Sequence, residues 1–168
     1  MAEVSVGVMR GRQRAARSRC AGEQGISLVE TLIVCALIST LASLAAGAYV
    51  NALKQARITR AIADIRTLDT DIRLYETRNG RYPLTLADAH SPVPIDPWGH
   101  PYVYTDLSAK NAKGKARKDG RLNPINADFD LYSVGEDGRS STPLTARLSW
   151  DDVIRAREGA FIGLATDF

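Results

Sequence analysis

The sequence predicts an α+β fold, with one long N-terminal helix packed on a small antiparallel β-sheet. Three observations predict it. A uniformly apolar run, residues 26–50, continues without a proline into a one-sided apolar stripe that stops at Asn79-Gly80. Beyond Gly80 the chain is short-textured, and the prolines clustered between Pro92 and Pro101 forbid regular helix there. Two runs rich in aromatic and β-branched residues, Tyr102 to Thr105 and Phe129 to Val134, then read as neighbouring antiparallel strands joined by a long polar loop.

The first element is long enough to cross a bilayer. A hydrocarbon core of roughly 30 Å needs about 20 apolar residues in helical form. Residues 26–50 supply them, with Glu30 as the only formal charge. Burial inside a soluble domain would need a core around about seven apolar turns, which the rest of a 168-residue chain is too short to build. Upstream, Arg10, Arg12, Arg14, Arg17 and Arg19 face only Glu3 and Glu23, and this excess is the whole formal net charge of +3. The remaining residues carry 17 basic and 17 acidic side chains, so no basic folded surface is available for nucleic acid.

After Val50, Ile58, Ile62, Ile65, Ile72 and Tyr75 form one helical stripe. Arg57, Arg60, Asp64, Arg66, Asp69, Asp71 and Arg73 lie between them and are expected to face water. Only Gly47 interrupts the helix compositionally, and Asn79-Gly80 supplies the left-handed residue that ends it. One continuous helix of about 50 residues follows, embedded in its first half and amphipathic in its second.

The loop from Asp106 to Asp128 carries Lys110, Lys113, Lys115, Arg117, Lys118 and Arg121 with Asn111, Gly114 and Gly120. With no aromatic residue interleaved to stack on bases, it reads as a solvated flexible loop. The tail shows a helical turn pattern around Asp151 to Arg157 and an apolar, glycine-punctuated end from Gly159 to Leu164.

Enzymatic chemistry finds no support. His90 and His100 lie in proline-rich turns, and no metal-binding histidine pair, phosphate-binding glycine loop or nucleophile elbow occurs. Two cysteines, Cys20 and Cys35, exclude a disulfide framework; Cys35 reads as a small apolar side chain facing lipid or a neighbouring helix.

The junction before the apolar run has a signature of its own. A secretory signal peptide is cut after its apolar stretch. Here the small residue, Gly25, stands before it, in Gly25-Ile26-Ser27-Leu28-Val29-Glu30. This segment, behind a basic leader, resembles the prepilin processing signature of type IV pilins and type II secretion pseudopilins. The resemblance implies cleavage after Gly25 by a membrane peptidase, which then methylates the new amine of Ile26. Isoleucine is less usual there than phenylalanine or methionine. It also implies that Glu30 accepts the N-terminal amine of an adjacent subunit. That role answers a physical problem, because a carboxylate within an apolar helix costs about 2.5–3.5 kcal/mol and needs a partner. Snorkelling to the headgroups is the alternative. Positive charges on both sides of the span hardly decide its topology, and the resemblance places the leader in the cytoplasm and the rest in the periplasm.

Three further segments are similar to the major (G type) pseudopilin of type II secretion: Asn79-Gly80-Arg81-Tyr82-Pro83, Asp96 to Tyr102, and Leu131 to Gly138. Their composition points to turns and packing rather than catalysis. The domains implied are a cleaved leader (1–25), a membrane and assembly helix (26–50), and a periplasmic pilin-like domain (51–168). The function implied is that of a structural subunit, not an enzyme, which polymerises into a periplasmic pseudopilus driving secretion of folded proteins. Its partners are further copies of itself, the prepilin peptidase and methyltransferase, an inner-membrane assembly platform, minor pseudopilins, a cytoplasmic assembly ATPase acting indirectly, and lipid before assembly. A type IV pilus subunit and a non-polymerising bitopic binding protein are the rivals. Absence of a C-terminal cysteine pair favours the pseudopilin over the pilus subunit.

The resemblance also implies a structural calcium, held by the Val134 carbonyl, Asp137, and Asp151 or Asp152. Oxygen donors of this kind suit calcium. The loop departs from the family pattern, however, running from Arg139 to Ser149 with Arg139 and Arg147 available to neutralise the acids. On that alternative Asp151 is an N-cap and Asp152 faces water.

Overall fold

The computed structural model describes residues 25–108 and 113–168. The leader through Gln24, with Cys20, and Lys110 and Asn111 of the basic loop lie outside the described residues. The chain divides into two compact units between Ser43 and Leu44.

Helix α1 runs from Leu28 to Asn79 as one element. In its first unit every described residue is exposed and the surface is overwhelmingly apolar. The hydroxyls there are satisfied within the helix. Ser39 donates to the Cys35 carbonyl at 2.6 Å, Thr40 to Leu37 at 2.8 Å and Ser43 to Ser39 at 2.8 Å, which removes their cost in hydrocarbon. The helix stops where the Asn79 side chain bonds the Tyr75 carbonyl at 2.8 Å and Gly80, with φ of +68°, caps the Glu76 carbonyl at 2.7 Å.

In the second unit α1 buries Ala61, Ile65, Leu68 and Ile72. Ile65 and Ile72 of the expected stripe sit at its centre, while Ile58, Ile62 and Tyr75 flank it half-buried. The polar side of the stripe is not simply solvated. Asp64 accepts the Tyr102 hydroxyl at 2.9 Å, Asp71 meets His90 at 2.6 Å, and Asp69 meets a buried arginine of the sheet. Residue spacing reveals which face is polar, but not that a domain folds back over its edge.

After the short helix α2 (Leu86–Ala89) the chain forms four strands: β1 (Val103–Asp106), β2 (Phe129–Ser133), β3 (Val153–Ala156) and β4 (Phe161–Leu164). They pair antiparallel in the order β1-β2-β3-β4. The expected β1 and β2 pair in the register Val103↔Tyr132 to Asp106↔Phe129. The expected helical turn at Asp151 to Arg157 is instead largely strand: Val153 to Ala156 form β3, whose four residues are all buried. Alternation explains the pattern. Val153 joins Phe129, Leu131 and the α1 residues in one core, while Ile154 and Ala156 join Ile125, Leu144 and Ala165 on the other face.

That second face corrects the reading of the basic loop. Ala116 and Arg117 are 1% and 3% exposed, and Ile125 is buried, so the loop is anchored in the domain at these points, while Gly114, Lys115 and residues 120–124 are exposed as expected. It is stitched to the segment after β2 by Lys118 donating to the Thr142 carbonyl at 3.0 Å and Leu144 to Lys118 at 2.9 Å.

Candidate processing and assembly site

Gly25 and Ile26 are exposed and precede the first residue of α1. A Cβ added at Gly25 would meet nothing within 4 Å. Packing among the described residues therefore does not demand glycine at this position. Glu30 lies in the first turn, where a negative charge is favourable to the unpaired amides of the helix end. Its carboxylate shares a shallow, mainly apolar groove of about 250 Å³ with Ile26, Thr31, Val34 and Cys35, residues spaced one turn apart. Among the described residues no cation lies within ion-pair distance of it. Cys35 is exposed beside it as a free thiol.

The downstream motif segments come together in the second unit. Buried Asp96 organises its turn by accepting the Trp98 and His100 backbone N–H groups at 3.1 and 2.7 Å, and it accepts the Ser133 hydroxyl at 2.5 Å. His100 in turn reaches the Gly135 carbonyl at 3.2 Å. Gly135 has φ of +68°, and a Cβ there would lie 2.4 Å from the Asp151 carbonyl oxygen, so close approach as well as conformation requires glycine. Tyr82 packs on Phe129 with ring centroids 5.5 Å apart, and the Tyr104 hydroxyl donates to the Pro83 carbonyl at 3.0 Å. All three segments thus serve the join between helix, turn and sheet.

The four calcium donors implied by resemblance are divided. Asp151 accepts the Asp137 backbone N–H at 3.0 Å, and Asp137 accepts that of Arg139 at 2.8 Å, so these carboxylates brace the loop's own backbone. Val134 is half-buried beside them in sequence. Asp152 does not face water. Its side chain is 0% exposed and pairs with Arg117 at 2.6 Å and with the Ser140 hydroxyl at 2.6 Å. Burial raises its carboxyl above the ordinary value, against the Ser140 and Arg117 contacts that lower it. Among the described residues no three His, Cys, Asp or Glu side chains converge as a metal would require. Of the implied donors, Asp152 is already taken by Arg117, so the three carboxylates do not form one set for the ion.

A long apolar N-terminal helix followed by a small four-stranded antiparallel sheet is a pilin-like α+β arrangement. Within that class the chain is similar to a particular protein, the type II secretion system core protein G. It is 28% identical to that of Pseudomonas aeruginosa, over 70% of this chain and 86% of the relative. With the Escherichia coli protein the identity is 26%, over 71% and 86%, and with that of Xanthomonas campestris it is 28%, over 71% and 82%. No protein-family model matches the chain. These relatives support a pseudopilin role in type II secretion, and the chain's one described helix long and apolar enough to cross a membrane accords with it.

Proposed function

We propose that the chain is a structural subunit of a periplasmic pseudopilus, made as a prepilin, cut after Gly25, methylated on Ile26 and polymerised through α1 to drive secretion of folded proteins across the outer membrane. The single observation that carries this reading is the uncovered apolar half of α1: between Ile26 and Val50 no side chain is buried. Such a surface suits lipid first and the helices of neighbouring copies afterwards. Lipid tails are as apolar as leucine, so helix association within the bilayer gains little from the hydrophobic effect and needs packing and polar contacts. Glu30 supplies the polar contact. Cleavage creates an ammonium at Ile26, and pairing it with Glu30 of the adjacent subunit relieves two charges that are costly in hydrocarbon and fixes the register of one helix on the next. The openness around Gly25 fits a glycine required by a processing enzyme rather than by the fold.

On this reading the leader is cytoplasmic and the sheet periplasmic. The partners are the prepilin peptidase and methyltransferase, the assembly platform with its ATPase, and minor pseudopilins. Glu30→Ala tests the pairing. Membrane insertion should be intact or improved, because a charge leaves the hydrocarbon, while filament yield, measured by shearing and sedimentation, should fall by more than tenfold. Filaments formed as readily as by the wild type would leave snorkelling as the account of Glu30.

A further inference from the structure

One of the acids after β2, Asp152, has a cation of its own, contributed from 35 positions away in the chain. Arg117 is 3% exposed, and its guanidinium bonds the Asp152 carboxylate at 2.6 Å and the Ser140 hydroxyl. It also lies over the Tyr132 ring, 4.3 Å from the centroid. The backbone around it is fixed as firmly: the Arg117 N–H donates to Asp130 at 2.6 Å, and Asp130 is held from its other oxygen by Asn126 at 2.9 Å. Arg139 and Arg147, the basic residues of the loop itself, form no ion pair with Asp137, Asp151 or Asp152 among the described contacts.

We infer that Arg117 is the internal cation of this loop and that the folded domain needs no calcium. The guanidinium supplies the positive charge that would otherwise have to come from a divalent ion, and it does so through a residue anchored between β1 and β2. The inference concerns how the loop is held. It stands whether or not the chain polymerises, and melting separates it from processing and assembly.

Two buried atoms, Arg117 Nε and Asp152 Oδ1, have no partner among the described residues. Asp152 Oδ1 is therefore the oxygen for which a metal would compete, and it makes the inference open to failure. The test uses the full chain in detergent micelles, with unfolding followed by tryptophan fluorescence, since Trp98 and Trp150 both lie in the sheet-bearing unit. Millimolar calcium and excess chelator should give wild-type melting temperatures within about 1 °C of each other, whereas an ion at a hundred times its Kd would raise the midpoint by roughly 10 °C. Arg117→Gln and Asp152→Asn should each lower the midpoint by roughly 5 °C or more, and the double variant should fall no further than the worse single. If Arg117→Gln does not fold, the wild-type calcium arms and Asp152→Asn still decide. A calcium-dependent rise in the wild-type midpoint, or additive losses in the double variant, would overturn the inference.

Discussion

Arg155 shows how much of this domain depends on single charged side chains. It is wholly buried in β3, bonds Asp69 of α1 at 2.6 Å and Asp128 at 2.5 Å, and stacks 3.8 Å above the Phe129 ring. Removing one partner of a buried pair costs about 3–5 kcal/mol, because the remaining charge keeps its desolvation cost. Arg155→Met should sit at the lower end, about 3 kcal/mol, because Arg73 remains near both acids at 3.1 and 3.8 Å. Chemical denaturation of the full chain in micelles measures it. The same contact shapes the acid limb of stability. Burial opposes ionisation of Asp128, but the Arg155 hydrogen bonds and the Phe129 N–H outweigh it and hold the carboxyl below the ordinary value. A folded-state pKa that is depressed contributes stability that is complete above the unfolded pKa and lost as pH falls through the folded one. Asp130 and Asp152 are raised by burial, so their contribution runs the other way, complete at low pH and lost as pH rises through their folded values.

At the scale of elements, the helix and the first strand pair were legible because their signals are local. Apolar spacing marks α1, Asn79-Gly80 marks its end, and β-branched and aromatic runs mark β1 and β2. Strand β3 was hidden because Arg155 breaks its apolar run, and the groups that make an arginine tolerable there are distant, Asp69 by 86 positions and Asp128 by 27. The anchoring of the basic loop was hidden for the same reason, since Arg117 reads as one more cation of a polar loop and its partner Asp152 lies 35 positions on. Of the candidate sites, Gly25, Ile26 and Glu30 stood out through their order along the chain. The division of the metal donors could be seen only once Arg117 was in place. The buried stripe of α1 offers an element-level check. Ile65 is 0% exposed, so Ile65→Ala should cost about 2–5 kcal/mol, whereas Ile62→Ala on the half-buried flank should cost less in the same denaturation experiment.

For the whole molecule, the decisive property is a contrast between its two units. One holds a sheet, two cores and paired buried charges. The described part of the other leaves an apolar helix uncovered, satisfies the helix hydroxyls internally and holds one carboxylate, Glu30, for which the described residues offer no cation. On the proposed reading, the contacts that this helix lacks come from lipid and from copies of the chain. On that reading a new amine at Ile26 would make Glu30 a contact rather than a cost. Intact mass and N-terminal sequencing of the protein from native membranes test this most directly: the account predicts a chain that begins at Ile26 with one added methyl group, and a leader that stays attached in Gly25→Val. A native protein that begins at Met1, or one cut after Val50, would contradict it.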